Sequence, residues 1–529
     1  MPKIRQEINL IDIAFTGSGD SLSLGVLNRH RFNGTVTAHL EIVGINSGSS
    51  VNANLRRDGT STDDATIAFQ SGAYIRSRSS GFTPQDGTTN YVVNLSASLN
   101  PGLACARIIL LQDNPEIICT ESQYEVGAHE TSKTNTTAAP FNSAQYWLYD
   151  SSQYDGKVTF EASVTWNASG TMYQKRFDVE EDDGSFGNWT QLANIVLSSA
   201  SGRQHSTTSF TPTSGRNYRI TGSIANTMEN YSVYGAKIIV TQVPSEDQVQ
   251  ATVGSTLLLY GGSGSNEAIA QSFIPSATAT HSGVSIRFGK GGTPTDNLVV
   301  EIRQAHGGDL LATGTLTAGP LPVGEYFIPF TTPTQLNGGT TYYIEITRSG
   351  ARDTSNYWNI VCNTSNPYSS GVAERNDSGT WTVLTSTDIV FRTHLAPLTK
   401  IRPEFLLANK SETSTGLRDR DTLWDPNEWT GAVNTAHHEH NAPTSGTHTS
   451  KLQQDPNGSP TDITNSSVTG TWRARSSAVT LPTSAQTMDV NLTAGTIYAS
   501  RLVVLTTIPR KRPDPVRRSQ RRFEPAILQ

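Results

Sequence analysis

Three stretches of this chain repeat one another, and that repetition constrains the fold more than any single motif. The first runs Arg76-Ser77-Arg78-Ser79-Ser80-Gly81-Phe82-Thr83-Pro84, then Tyr91-Val92-Val93-Asn94-Leu95, then Ala106-Arg107-Ile108-Ile109-Leu110. The second runs Thr207-Thr208-Ser209-Phe210-Thr211-Pro212, then Tyr218-Arg219-Ile220, then Ala236-Lys237-Ile238-Ile239-Val240. The third runs Arg473-Ala474-Arg475-Ser476-Ser477-Ala478-Val479-Thr480-Leu481-Pro482, then Met488-Asp489-Val490-Asn491-Leu492, then Ser500-Arg501-Leu502-Val503-Val504. A front element recurs too. Leu148–Gly156 aligns without gaps with Leu423–Gly431, and the first copy keeps its end as Phe32-Asn33-Gly34. From that Gly to the closing-strand cation is 73, 81 and 70 positions (Gly34 to Arg107, Gly156 to Lys237, Gly431 to Arg501). Three copies of one module of about 110 residues follow, each a normal domain size.

The module reads as a β-sandwich. Val158, Phe160, Ala162 and Val164 alternate with polar residues, the period of a half-buried strand. The closing Ile-Ile-Val strand is apolar on both faces and is expected in the middle of a sheet. The third copy departs here: its front strand is Val433-Asn434-Thr435-Ala436-His437-His438-Glu439-His440. That face is expected to lie against a partner or to stay wet.

Composition agrees with an all-β chain. Of 529 residues 123 are Ser or Thr, and only 16% are charged, against about 25% in an average domain. Hydroxyl- and turn-rich chains suit sandwiches rather than helical bundles or α/β enzymes. No stretch of about 18 apolar residues exists for a membrane helix. The start, Met1-Pro2-Lys3-Ile4-Arg5-Gln6-Glu7, has no secretory signal pattern. Three Cys (Cys105, Cys119, Cys362) are too few and too odd for a disulfide framework.

A different module lies between the second and third copies. It opens Ala270-Gln271-Ser272-Phe273, continues through Leu298-x-Val300-x-Ile302, Leu336-x-x-Gly339-x-x-Tyr342 and Asn366-Pro367-Tyr368-x-x-Gly371, and closes with Asp388-Ile389-Val390-Phe391. On these residues, 270–392 resembles the jelly-roll, carbohydrate-binding-like modules of bacterial surface proteins and phage structural proteins. The repeats resemble another β-sandwich module of phage virion and cell-surface proteins. The expected organisation is an all-β tandem: sandwich copies at 1–118, 119–246 and 399–508, a jelly roll at 247–398, and a basic tail at 509–529.

Candidate sites are few. Trp358, Tyr368, Trp381, Trp424 and Trp429 could stack on sugars if exposed, although Trp more often packs in a core. His438 and His440 share one strand face, with His437 and Glu439 on the other, so His438 and His440 could hold a divalent metal; His448 is nearby in sequence. Glu180, Glu181, Asp182, Asp183 and Gly184 could contribute to a calcium site, or simply form a turn. No other cofactor is implied. No nucleophile elbow, Cys/His pattern or phosphate loop is present.

Within the tail, residues 510–522 hold Arg510, Lys511, Arg512, Arg517, Arg518, Arg521 and Arg522 against Asp514, a net +6. The rest of a chain of net charge −6 therefore carries −12. Such an arm suits docking on an acidic protein surface, or a solvating tail; nucleic acid is a weaker fit without an aromatic–basic platform. The expectation is a non-enzymatic virion protein of a tailed phage, made in the host cytoplasm. It would be a fibre, decoration or tail-surface component with its modules strung in line. Its partners would be copies of itself, other virion proteins and host glycans. A bacterial carbohydrate-binding adhesion protein and a tail-spike polysaccharide-degrading enzyme are the alternatives.

Overall fold

The computed structural model describes residues 3–507 apart from 12–17, 22–23, 47, 49, 70–71, 100, 114–118, 128–129, 142–145, 184–187, 198–201, 319–322, 397, 409–415, 418–421, 430–432, 442–445, 455–459, 470–472, 477 and 495–498. The regular structure of the described residues is antiparallel strand, apart from three short 3-10 turns.

Each repeat folds into two packed sheets of the same topology. In the first, a leading strand (Lys3–Ile11) pairs with the closing strand (Pro101–Asp113), which pairs with the front strand (Thr35–Asn46), which pairs with Gly72–Arg78. The second repeat has the order Thr120–Gly127, Tyr231–Val243, Lys157–Ala168, Gly202–Phe210. In the third, Lys400–Ile401 and Glu404–Ala408 share the leading position, followed by Ala499–Thr507, Val433–Asn441 and Arg473–Arg475. The closing strand is interior in every copy, as its apolar faces require.

Register carries the repeat to atomic detail. Leu40, Ala162 and His438 stand opposite Ile108, Ile238 and Leu502; Ile42, Val164 and His440 stand opposite Ala106, Ala236 and Ser500. The first and third copies also share a side-chain lock. Ser79 Oγ accepts Leu40 N–H at 3.0 Å, and Ser476 Oγ accepts His438 N–H at 3.0 Å. The recurrent aromatic-x-Gly turn has its own cause. Gly34 and Gly156 have φ of 76° and 74°, a region costly for residues with a Cβ, and a Cβ on Gly156 would run into the Val243 carbonyl.

The jelly roll uses its motif residues as fasteners. The strand Gly324–Leu336 runs from one sheet to the other, which it joins at the Gly314–Phe330 pair. Gln271 donates to Asp388 at 3.0 Å and accepts from Ile389 N at 2.9 Å, and Asp388 accepts Tyr368 N at 3.0 Å. The opening strand, the Asn-Pro-Tyr turn and the closing strand are thereby tied together. Tyr342 Oη accepts Asn337 N–H at 3.0 Å, pinning the Leu-x-x-Gly-x-x-Tyr turn.

The modules are not strung in line. The leading strands of the three repeats touch one another pairwise, so the sandwiches close around a common centre. Ile4, from the first leading strand, packs in the core of the third repeat. This is a head-to-tail interface that closes after three units, with all three units on one chain. The string expected from sequence fails because charge on the leading strands can be buried only where the strands meet.

Ile238 is fully buried in the second closing strand. Ile238→Ala is expected to lower unfolding free energy by about 2–5 kcal/mol, read by denaturant melts.

Candidate functional site

The ring is held by a contact rule that recurs at its three junctions. A short 3-10 turn precedes each front strand: Arg29–Arg31, Ser151–Gln153 and Pro426–Trp429. From the first, Arg31 pairs with Glu121 of the second leading strand at 2.7 Å, and with Glu161. Just after the second, Asp155 accepts Thr399 N at 2.7 Å and Lys400 N at 3.2 Å, where the third leading strand begins. From the third, Glu428 pairs with Arg5 of the first leading strand at 2.9 Å, and with Arg78. The closing-strand cations reach the other way. Lys237 Nζ donates to Asn9 O at 2.6 Å, and Arg501 donates to Glu125 O at 3.2 Å.

The junction of the third and first repeats is the most charged. Arg5 and Arg107 are each 1% exposed. Arg5 pairs with Glu7 and Glu428, and Arg107 pairs with Glu7 at 3.2 Å and Glu41 at 3.0 Å. Burial alone would raise the Glu41 carboxyl, but Arg107, Arg5, Arg78 and Arg76 hold it down at about 2. It therefore stays ionised. A second cluster joins the second and third repeats: Arg402 pairs with Glu404 and lies 5.4 Å from the centre of Tyr124's aromatic face, while Tyr124 donates to Arg402 O at 2.5 Å. Sequence reading missed this axis. The signal was present as a shared Arg-x-Glu in Arg5-Gln6-Glu7 and Arg402-Pro403-Glu404.

The histidine strand is a correction. His438 and His440 lie 0% and 1% exposed inside their own sandwich, neither wet nor against a partner. They occupy the core positions of Leu40 and Ile42 in the first repeat. Serines come with them: His438 Nε2 meets Ser500 Oγ at 2.9 Å, and His440 Nδ1 meets Ser450 Oγ at 3.0 Å. Burial holds the imidazoles neutral, with His438 lowered to about 3 and His440 to about 4. Among the described residues, no three His, Cys, Asp or Glu side chains are grouped to hold a metal ion.

Four of the five aromatic candidates are buried rather than exposed. Trp358 and Tyr368 belong to the jelly-roll core, and Trp424 and Trp429 stack on each other in the third repeat's core. Their area is spent on packing, so they offer no sugar platform. Trp381 is half-buried and stacks on His306 at 3.9 Å. The two nitrogens of His306 face Glu345 at 2.7 Å and Glu374 at 3.1 Å.

The acidic segment is tied into its sheet. Glu180 pairs with Arg219, Glu181 accepts the Tyr218 hydroxyl, Asp182 accepts Asn217 N at 3.0 Å and Asp183 accepts Asn188 Nδ2 at 2.9 Å. Gly184 and the basic run Arg510–Arg522 lie outside the described residues. Cys105, Cys119 and Cys362 are buried free thiols.

Glu428→Ala is expected to cost about 3–5 kcal/mol, because it leaves buried guanidinium charge uncompensated. Asp462→Ala, which breaks the more exposed Lys451 pair, should cost under about 1 kcal/mol. Chemical denaturation of both variants checks the contrast. A second outcome concerns pH. The native histidine pKa values are lowered, so the unfolded chain takes up protons first. The pair's contribution is complete above pH about 6.5 and is lost as pH falls through 6 toward 4. His438→Leu/His440→Ile should flatten that part of the stability–pH curve.

No protein-family model and no curated protein matches the chain. Among solved structures, one described as "The Triple Jelly Roll Fold and Turret Assembly in an Archaeal Virus" aligns over 75% of this chain and 97% of that one. The identity is 10% and the TM-score 0.14.

Proposed function

We propose that this chain is a structural, non-enzymatic component of a virus particle, a decoration or tail-surface protein of a tailed phage, with host glycan as a further contact. The observation that carries the reading is the closed ring. Three sandwiches spend their leading strands, their 3-10 turns and a set of buried ion pairs on fixing one shape. That is the economy of a rigid scaffold: rigidity comes from interfaces rather than from a cleft. The jelly roll departs from the threefold arrangement on one flank, where Lys157 of the second repeat pairs with Glu246, and so gives the ring a distinct side.

In this reading the basic run Arg510–Arg522 is the docking arm onto an acidic neighbour, and contacts with other virion proteins use faces outside the ring. The opposite charges of arm and body support it.

Mass spectrometry of gradient-purified particles tests this. The chain should appear at a fixed ratio to the major structural protein and should be lost from particles when residues 509–529 are deleted. Finding it on a bacterial envelope and in no particle would overturn the proposal in favour of a cell-surface adhesion protein. Release of reducing ends from host polysaccharide would favour the tail-spike enzyme instead.

A further inference from the structure

We infer that the junction of the first repeat, the second repeat and the jelly roll is a binding site for a neutral sugar residue, an inference that rests on the glycan-contacting reading above. A cavity of about 660 Å³ opens there, within the range that small ligands occupy. Its walls come from three modules: Asn28, His30 and Asn90 from the first, His205 from the second, Tyr326 and Phe327 from the jelly roll. The ring has three junctions between sandwiches but the chain has one jelly roll, so this cavity is not a by-product of the repeat.

The polar groups match hydroxyl chemistry. His30 Nε2 and His205 Nδ1 are buried and hydrogen-bond to no other group among the described residues. Burial, with Lys237 nearby, keeps His205 neutral with its pKa lowered to about 4, and burial lowers His30 as well. A neutral imidazole carries one donor and one acceptor, as does a hydroxyl, and the Asn amides supply both kinds too. Half-buried Tyr326 and Phe327 add an aromatic wall, the usual partner of a sugar's apolar face.

The charges in the walls already have partners. Arg31 is engaged by Glu121 and Glu161, and Glu325 by Arg392. A phosphate or carboxylate would find no unengaged cation among them, so a neutral ligand fits best. Access is open where Thr88, Thr207 and Glu325 are exposed at the cavity.

Saturation-transfer NMR on the full chain tests the site, with the methyl glycosides of glucose, galactose, mannose, rhamnose and N-acetylglucosamine as probes. At least one should receive saturation. His205→Phe, which fills the cavity, and Asn90→Ala, which removes an amide without crowding, should each weaken that binding by about tenfold or more. Thermal melts establish that each variant is folded, and the milder Asn90→Ala serves if His205→Phe is not. Trp381→Ala should leave the signal unchanged. The inference is overturned if no glycoside receives saturation, if both cavity variants bind like the parent, or if Trp381→Ala alone abolishes the signal. Particle membership is scored separately, so the site can fail while the structural role stands.

Discussion

The ionised carboxylate of Glu41 is the point on which the closed arrangement turns. It is 1% exposed and stays charged because four arginines surround it: Arg107 on its own closing strand, Arg5 on the leading strand, and Arg76 and Arg78 on the neighbouring strand. Glu428 of the third repeat in turn engages Arg5 and Arg78. These charges would be very costly to bury singly, and burying them together costs far less. Only closure of the third repeat onto the first brings Glu428 to them. The last junction of the ring is therefore specified by a charge requirement that a linear string of modules leaves unmet.

The three junctions obey one rule with three chemistries. The first uses a cation between two carboxylates, Arg31 with Glu121 and Glu161. The second uses Asp155 against backbone N–H groups of Thr399 and Lys400. The third uses Glu428 between two guanidiniums. A chain of identical units would pair with other copies as readily as with itself. Divergent chemistry at each junction favours one order within one chain, because a mismatched pairing leaves a buried charge alone.

Much of the fold was legible in the sequence. Period-2 alternation, recurring turns and the double apolar closing strand lead to sandwiches, and the equivalence of Arg107, Lys237 and Arg501 survives as spatial equivalence at the ring interface. What was not legible is closure. It depends on which side chains of different modules meet, and the Arg-x-Glu of two leading strands shows its meaning only once those strands touch. The aromatic candidates failed for a related reason. Sequence gives the identity of a Trp but not its side of the sheet, and four of the five side chains were needed to fill cores. His438 and His440 were read correctly as sharing a face. Their inward direction could have been inferred by aligning them with Leu40 and Ile42, with Ser500 in place of Ala106 as the compensating change.

Three repeats of this chain close into a ring through contacts between their leading strands. Electron microscopy of the full-length protein in its native assembly tests it most directly. Three sandwich densities are expected around a shared axis within each copy, leading strands innermost, with one jelly roll on the flank of the second repeat. Four densities spaced along an open string, with the third repeat away from the first, would contradict it.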